Sequence, residues 1–446
     1  MGIGILLAMR SRRHAGVDGD CLQDHFQAAA LAATLFFGAA WTAMANDART
    51  LFSEYSDRIY QVRILDRSSG KQAGLGSGFL ISADGEFVTN YHVIAEYANH
   101  PKRYSIEFVR HNGEKGSLSL INLDVVNDLA LLRLDDAPGY YLRLAAGLPA
   151  QGESIYSIGN PHDLGWTVIP GTYNGIAAYS VYERIHFSGS VNPGMSGGPV
   201  LNAAGRVIGV NVATAGNQLS FLVPLNRLAA FVARSARTAV DVGEIDTVVA
   251  KQLKANQREV IGALVRSPWE AANFGDAVVP SELAAHIRCW GFSDDDPEIR
   301  YAHSATSCNS EEQIYLSSEF NTGNVAYQFN WLETDELNTL QFYNMYKEKI
   351  ANAYPDNDAG KEDVTRFVCH EDFVRSRSLG DRQVVTKSAF CVREYRRYRG
   401  LYDVLFFGAS VHRNKSALIS HFTLAGVEQG LALDFARKFV ANVQWK

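Results

Sequence analysis

Residues 192–199, NPGMSGGP, place a serine inside a glycine-rich turn. Gly194 lies two positions before Ser196, and Gly197 and Gly198 follow it directly. Glycine has no Cβ and adopts backbone conformations that other residues avoid, so this density of glycine favours a tight turn that presents amide N–H groups. A plain β-turn does not need three glycines around one serine. The segment therefore predicts a serine displayed beside free amide donors, as nucleophilic catalysis requires.

Two more polar residues upstream could complete such a site. Residues 88–93, VTNYHV, predict a strand that ends on His92, and Asp128 directly precedes the apolar strand LALLRL of residues 129–134. A reactive serine needs an imidazole as general base and a carboxylate that orients the imidazole. Taken singly, the histidine could be an ordinary surface residue and the aspartate a turn residue. Their occurrence together with Ser196 indicates a catalytic site.

The surrounding sequence predicts an all-β fold. From about residue 60 to residue 224, short apolar runs alternate with turns of Gly, Asn, Asp and Pro, and long segments of helical period are lacking. Asp84 and Gly85 lie between the runs SGFLIS and EFVTN, which predicts a hairpin. Recurrent short strands of this kind are typical of a barrel or sandwich.

These motifs together resemble the chymotrypsin-like serine proteases, and among them the bacterial HtrA-type trypsin-like peptidases. The segments that carry the resemblance are GSGFLI at 76–81, VTNYHVI at 88–94, NDLALL at 127–132, the serine turn, and VIGVN at 207–211. The order His, Asp, Ser is also that of the family. The resemblance covers about residues 47–236 and implies an all-β double β-barrel with six strands in each barrel. It places the site in the cleft between them.

The resemblance also implies a role for each matching residue. His92 is the expected general base, Asp128 orients it, and Ser196 attacks the scissile carbonyl. The backbone N–H groups of Gly194 and Ser196 are expected to form the oxyanion hole. Met195 stands where these enzymes usually have a polar residue, but only its backbone is needed there.

Substrate specificity is predicted from positions around the serine turn. Ser190 stands where trypsin-like enzymes with a basic preference carry an acidic residue, so a Lys or Arg preference is not expected. Val212 suggests a modest apolar pocket, and the strand of Val212, Ala213 and Thr214 is expected to pair with the substrate backbone. We therefore expect cleavage after small or medium aliphatic residues.

The serine turn also satisfies G-x-S-x-G, the nucleophile elbow of α/β-hydrolases. That elbow needs a helix directly after the serine and catalytic partners in the order Ser, acid, His. Residues 199–205, PVLNAAG, are instead predicted as strand and turn. A lipase or esterase is therefore the less favoured interpretation.

The N-terminal residues 1–45 have the form of a secretory signal. Residues 27–45, QAAALAATLFFGAAWTAMA, are almost entirely apolar, follow several arginines and end in small residues. A run of this length could also remain as a membrane anchor. Both interpretations predict an exported protein, periplasmic or secreted. If the signal is cleaved, no membrane span is expected to remain.

If the protein is exported, its cysteines can form disulfides, since oxidising compartments allow these bonds to persist. Four of the 5 cysteines lie in the C-terminal half. We favour the pairs Cys289 with Cys308 and Cys369 with Cys391, because each closes a short loop. The alternative is a zinc site, but the sequence has no C-x-x-C pair among these residues. We therefore expect no metal and no cofactor.

The chain of 446 residues is too long for one ordinary domain. After the signal we expect a protease domain over residues 46–236, a helical connector over 237–270 and a mixed α+β domain of unknown function over 271–446. HtrA-type chains usually continue into a PDZ domain, but residues 271–446 lack its carboxylate-binding loop.

Within residues 271–446 several elements are expected. They are a hairpin of strands 313–317 and 325–329, a helix from 335 to 353, a strand from 402 to 407, and a last helix carrying Leu431, Phe435, Phe439 and Val443. The basic run 393–399, REYRRYR, is predicted as an exposed strand face.

The composition excludes some partners. With a net charge of −6, the protein does not have the excess of Lys and Arg that contacts with nucleic-acid phosphates require. The sequence predicts a serine endopeptidase acting on proteins or peptides, and the resemblance is compatible with a homo-oligomer. The alternative function is a catalytically weak, chaperone-like binding protein of the envelope that keeps the protease scaffold.

Overall fold

The computed structural model describes residues 48–214, 218–235, 239–294, 298–351, 357–375, 377–378, 384–411 and 415–446. The predicted signal, residues 1–45, lies outside the described residues. Residues Glu54–Lys446 form one compact unit, and all elements below belong to it. Among the described residues, no helix combines the length and the apolar character needed to cross a membrane.

Six antiparallel strands close into a first barrel in the order β1-β2-β3-β6-β5-β4. They are β1 Ile59–Asp66, β2 Gln72–Leu80, β3 Glu86–Thr89, β4 Tyr104–Val109, β5 Lys115–Asp124 and β6 Leu129–Arg133. Strand β4 shows the alternation that favours a strand with one buried face. Tyr104, Ile106 and Phe108 are buried in the barrel core, and the residues between them are more exposed. Strands β2 and β3 form the predicted hairpin, in which Gly85 has a φ of +82°.

A second closed barrel follows, in the order β10-β11-β12-β9-β8-β7. Its strands are β7 Ser154–Gly159, β8 Thr167–Ile176, β9 Ile185–Phe187, β10 Pro199–Asn202, β11 Val207–Thr214 and β12 Ser220–Pro224. Its core includes Phe187, Leu222 and also Met195, whose side chain is fully buried. The two barrels together form the chymotrypsin-type double β-barrel that the sequence predicts.

Three helices accompany the barrels: α1 Tyr91–Asn99, α2 Leu225–Ser235 and α3 Ile245–Arg266. The prediction that a strand ends on His92 was wrong, because β3 stops at Thr89 and His92 is the second residue of α1. The residues Tyr91, Ala95 and Ala98 recur at helical spacing and are buried. Residues 86–94, EFVTNYHVI, read as one continuous strand, because the apolar residues on either side of Thr89 and Asn90 hide this change of period.

The C-terminal region is built on a seven-stranded antiparallel sheet in the order β15-β16-β19-β24-β23-β22-β20. Its strands are β15 Ile287–Asp294, β16 Ala302–Ser310, β19 Val325–Glu333, β20 Val368–Arg375, β22 Val385–Glu394, β23 Tyr402–Val411 and β24 Ser416–Val427. Two helices pack on it, α4 Thr339–Ala351 and α5 Gln429–Ala441. The region is a mixed α+β structure, as expected.

Two smaller sheets complete the region. One has four strands, β13 Ala271–Phe274, β14 Ala277–Pro280, β21 Arg377–Ser378 and β25 Gln444–Trp445, and the other pairs β17 Ile314–Ser317 with β18 Phe320–Thr322. The expected hairpin of strands 313–317 and 325–329 was therefore wrong. Strand β17 pairs with the closer β18, and β19 joins the large sheet between β16 and β24.

The four C-terminal cysteines form the two predicted disulfides. Cys289 is bonded to Cys308 and Cys369 to Cys391. Each pair lies directly opposite across neighbouring antiparallel strands, β15 with β16 and β20 with β22. The bridges therefore staple strands at both edges of the large sheet.

One hydrophobic cluster connects the first barrel to the C-terminal region. It contains residues of α1, of α3, of the β17–β18 hairpin and of the loop after β22, among them Tyr91, Val249, Leu253, Ile314, Leu316, Phe320, Tyr395 and Tyr398. The prediction that residues 393–399 form an exposed strand face was wrong. Tyr395 and Tyr398 are buried, and Arg397 forms an ion pair with Asp246 on α3.

Candidate active site

The structure brings His92 and Asp128 into direct contact. His92 lies in the first turn of α1 and Asp128 in the turn before β6. The ring Nδ1 of His92 lies 2.7 Å from Asp128 Oδ2, and the His92 backbone N–H donates to Asp128 Oδ1 at 2.9 Å. An ionised carboxylate only accepts hydrogen bonds, so Nδ1 carries the proton and Nε2 keeps a free lone pair. This is the tautomer that a general base needs.

The backbone of Asp128 adopts a left-handed conformation, with a φ of +61°. Aspartate and asparagine tolerate this region better than other residues with a side chain. The conformation is held by Asn90, whose Nδ2 donates to the Asp128 carbonyl at 2.7 Å, and by Arg184, whose Nη1 donates to the Asn127 carbonyl at 3.0 Å. Hydrogen bonds from both barrels therefore fix the carboxylate that contacts His92.

Two opposing effects set the basicity of His92. Burial of the imidazole lowers its pKa, while the charge of Asp128 and its hydrogen bond raise it, and the net result is a pKa above the ordinary value of 6.5. A nearby guanidinium, Arg184, acts in the lowering direction. The ring is therefore a stronger base than a free histidine, although it loses its proton at a higher pH.

The serine turn needs glycine at two positions for backbone reasons. Gly194 has a φ of +95°, and a Cβ there would lie 2.5 Å from the Asn160 carbonyl oxygen. Gly197 has a φ of +84°, and a Cβ there would lie 2.3 Å from the Ser77 carbonyl oxygen. The left-handed conformation and the closeness of neighbouring backbone both exclude a larger residue. The glycine pattern of the sequence thus reflects a turn pressed between the two barrels.

Two amide donors of this turn are left free. The N–H groups of Met195, Gly197 and Gly198 donate to backbone carbonyls, whereas among the described residues those of Gly194 and Ser196 have no acceptor. The Pro193 carbonyl accepts from the His162 N–H at 2.9 Å. Because C=O and N–H point in opposite directions across a trans peptide, this bond turns the Gly194 N–H the other way.

Ser77 of the first barrel clamps the turn of the second. Its Oγ donates to the Gly194 carbonyl at 2.7 Å and accepts from the Asn160 N–H at 3.1 Å. Its backbone N–H donates to the Ser196 carbonyl at 2.8 Å. The side chain is fully buried. One serine of β2 therefore fixes the peptide group before Met195 and the peptide group after Ser196.

The hydroxyl of Ser196 donates to the Val212 carbonyl oxygen at 3.0 Å. A hydroxyl has one proton, so in this arrangement the proton is not directed at His92. Val212 lies at a bulge of β11, where the register with β12 shifts between Asn211 and Ala213. Such bulges re-aim backbone groups beside active sites.

The remaining predicted specificity residues lie around this bulge. Ser190 is half-buried in the loop between β9 and β10. Ser220 anchors that loop, since its Oγ donates to the Gly189 carbonyl at 2.7 Å and accepts from the Val191 N–H at 3.0 Å. The backbone of Ala213 and Thr214 belongs to β11, opposite Phe221 and Ser220 of β12.

Comparison with known proteins matches part of the two barrels to a known family. Residues 76–210 match the family model of the trypsin-like peptidase domain. The chain therefore carries a trypsin-like peptidase domain. The match includes His92, Asp128 and Ser196, and it extends over most of both barrels.

The relatives of this peptidase domain are HtrA- and DegP-like proteases. The protein is 34% identical over 166 residues to Protease Do-like 5, chloroplastic, of Arabidopsis thaliana, which covers 34% of this chain and 51% of that protein. It is 34% identical over 154 residues to a probable periplasmic serine endoprotease DegP-like of Chlamydia pneumoniae, which covers 33% of this chain and 30% of that protein. The chain thus spans about half or less of the length of these relatives.

A solved structure is similar as well. The serine endoprotease from Yersinia pestis matches with a TM-score of 0.38 and 25% sequence identity, over 43% of this chain and 66% of that one.

The C-terminal region also contributes to the surroundings of the peptidase site. The ring of Tyr315, on β17, lies edge-on to the imidazole of His92, with 5.9 Å between ring centroids. Glu312 accepts hydrogen bonds from Ser180 Oγ at 2.5 Å and from the Val181 N–H at 2.7 Å. Residues far along the chain thus contact both the histidine and the second barrel.

Several of these residues were missed by sequence reasoning. Ser77 lies inside the quoted segment GSGFLI, where a serine between two glycines on a strand was a usable signal. Asn90 and Arg184 gave no such signal in the sequence. Each donates to a backbone carbonyl that comes close to it only in the folded protein. Tyr315 lies 223 residues after His92, and no local pattern connects them.

Proposed function

We propose that this protein is an exported serine endopeptidase that hydrolyses peptide bonds through a covalent acyl-enzyme. The observation that carries the proposal is the 2.7 Å contact between His92 and Asp128, in a chain whose serine turn leaves the N–H groups of Gly194 and Ser196 free. The relatives' names, serine endoproteases among them, agree with this activity.

The first chemical step joins the substrate to Ser196. The hydroxyl rotates away from the Val212 carbonyl and donates to His92 Nε2. The Oγ then bonds to the scissile carbonyl carbon while Nε2 takes its proton, and Asp128 stabilises the imidazolium. When the tetrahedral intermediate collapses, the carbon–nitrogen bond breaks and the proton passes from Nε2 to the leaving amine. Water repeats the sequence and releases the acid.

The carbonyl oxygen becomes negatively charged during both halves of the reaction. In this proposal it accepts hydrogen bonds from the backbone N–H groups of Gly194 and Ser196. Donors of this kind lower the barrier because they are already oriented when the charge develops. Ser77 is a positioning residue, since it fixes the Gly194 carbonyl and does not touch the substrate.

Substrate binding is proposed along β11. The segment Val212, Ala213 and Thr214 extends beyond the part of β11 that pairs with β10, so a substrate strand can add on that side. Ser190 offers no negative charge to a basic side chain. We therefore propose cleavage after small or aliphatic residues, on protein or peptide substrates.

The remaining proposals concern location and organisation. The apolar segment of residues 27–45 supports export to the periplasm or beyond, and the two disulfides fit an oxidising compartment. We propose a protease domain over residues 46–236, a helical connector over 237–270 and an accessory domain over 271–446.

One observation favours a second candidate function. The Ser196 hydroxyl donates its hydrogen bond to the Val212 carbonyl and not to His92. This arrangement is expected of a protease scaffold that is used for binding. In that case the protein is a chaperone-like envelope protein with negligible turnover. The two candidates differ in whether Ser196 can be acylated.

Labelling with a fluorophosphonate separates them. The peptidase labels at pH 7 to 8, where the neutral form of the imidazole increases (~6.5 for a free histidine), while Ser196→Ala does not label and His92→Ala labels far more slowly. The wild type should also degrade casein, and Ser196→Ala should not. A folded wild type that neither labels nor degrades casein would contradict the peptidase proposal and favour the binding protein.

A further inference from the structure

The β17–β18 hairpin of the C-terminal region is attached to the helix that carries His92. Ile314 and Leu316 of β17 are buried in the cluster they share with α1. The Leu316 carbonyl accepts hydrogen bonds from Asn99 Nδ2 at 3.0 Å and from Tyr91 Oη at 3.5 Å. Apolar burial and backbone hydrogen bonds together fix the hairpin to both ends of α1.

Tyr315 lies between these two buried residues of β17 and packs at the edge of the same cluster. The pairing of β17 with β18 is irregular between Tyr315 and Ser317, and the Tyr315 side chain stays in contact with the cluster instead of pointing away from it. Tyr315 is half-buried, and its ring meets the His92 imidazole at 71° with centroids 5.9 Å apart. This edge-on geometry is favourable between aromatic rings.

Further contacts hold the hairpin in place. Just before β17, the carboxylate of Glu312 accepts hydrogen bonds from the turn of residues 180–182 in the second barrel. The loop after β22 packs into the same cluster, and its Arg397 Nη1 donates to Asn99 Oδ1 at 2.6 Å, at the far end of α1. The ring of Tyr315 therefore has a rigid support on both barrels, and a substrate cannot easily push it aside.

The His92 side chain nevertheless stays 26% exposed. A substrate strand that reaches Ser196 must pass along this exposed part, and one of its side chains must lie against the imidazole. Tyr315 occupies space on one side of that ring, so it limits the volume left for the substrate.

We propose that Tyr315 is a specificity-determining residue. It admits only small side chains at the substrate position that lies against His92. The inference rests on the proposed peptidase function and assigns the C-terminal region a direct part in substrate selection. Glycine, alanine and serine fit beside the phenol ring, and leucine or an aromatic residue clashes with it.

The test is a cleavage-site profile of the full chain on a peptide library, read by mass spectrometry, with kcat and KM for matched alanine and leucine peptides. Wild type should prefer small residues at one position near the cut. Tyr315→Ala should raise kcat/KM for the leucine peptide relative to the alanine peptide by about tenfold or more, mainly through KM. Tyr315→Phe, which keeps the ring, should reproduce the wild-type profile.

Phe373→Ala, which removes an exposed ring from the edge strand β20, is the matched control and should leave the profile unchanged. If Tyr315→Ala does not fold, Tyr315→Trp carries the test and should disfavour alanine relative to glycine. An active Tyr315→Ala enzyme with the wild-type profile, or a uniform loss of kcat for all peptides, would overturn the inference. A wild type that neither labels nor cleaves would instead refute the proposed function on which it rests.

Discussion

Replacing Ser77 by alanine tests the link between the two barrels most specifically. The substitution removes one buried oxygen that donates to the Gly194 carbonyl and accepts from the Asn160 N–H. Alanine fits the space, so the main effect is two buried backbone groups without partners. Each such group destabilises a protein by about 1–3 kcal/mol, which gives about 2–6 kcal/mol for the pair.

The expected functional effect follows from the position of the lost bond. The Gly194 carbonyl anchors the peptide that follows the proposed oxyanion donor, so the donor becomes less well oriented. We expect fluorophosphonate labelling of Ser196 to slow by about tenfold to a hundredfold, as when an oxyanion donor is impaired.

Two assays measure these effects in one preparation. Denaturant unfolding followed by tryptophan fluorescence gives the free energy of unfolding, and timed labelling gives the rate at Ser196. Ser119→Ala, an exposed serine on β5 of the same barrel, is the matched control. A Ser77→Ala protein that unfolds within about 0.5 kcal/mol of wild type and labels at the same rate would refute the clamp.

Three further predictions concern the base, the interdomain contact and the disulfides. Because the His92 pKa is raised above 6.5, activity should fall as the pH drops and the ring becomes protonated. The acid limb of a peptide-hydrolysis profile should have its midpoint above 6.5, and a midpoint below it contradicts the assignment. Glu312→Gln should lower the free energy of unfolding by about 1–2 kcal/mol because it weakens charge-assisted hydrogen bonds to the second barrel. Glu311→Gln, which removes only an exposed ion pair with Arg288, should change it by less than about 0.5 kcal/mol, and equal effects of the two substitutions would argue against the contact. Replacing both Cys369 and Cys391 by serine should lower the free energy of unfolding by about 3 kcal/mol in the chain-entropy account without slowing labelling. A slowed labelling rate would show that this edge of the sheet supports the site.

The serine turn was predictable because its constraints are local. Gly194 and Gly197 are required by their own φ angles and by close backbone neighbours, and such requirements are visible in a single sequence. The short strands and turns predicted an all-β barrel or sandwich, and the double barrel was what the family resemblance implied. The disulfides followed from short loop lengths, since each joins neighbouring strands of one sheet.

Other features depend on long-range contacts and could not be read. The helix of His92 was mistaken for a strand because β3 and the first turn of α1 are separated by a single residue, Asn90, and both contain apolar residues. The hairpin of β17 was assigned to β19, whose actual partners come from residues 302–310 and 416–427. Tyr315 gave no signal, because its relation to His92 exists only once the C-terminal region packs on α1.

The basic run shows a different failure. Its charges suggested a solvated face, but Tyr395 and Tyr398 are buried, and Arg397 is neutralised by Asp246. The charges of this run therefore did not distinguish an exposed strand from a buried interface in which an arginine forms an ion pair. The tyrosines between the arginines were the overlooked evidence.

The central claim is that Ser196 is a nucleophile activated by His92. The most direct measurement is mass spectrometry of the full chain after fluorophosphonate treatment, with the adduct mapped by peptide sequencing. The account predicts one adduct on Ser196, abolished in Ser196→Ala and strongly slowed in His92→Ala. An adduct elsewhere, or labelling of Ser196 at an equal rate in His92→Ala, would contradict it.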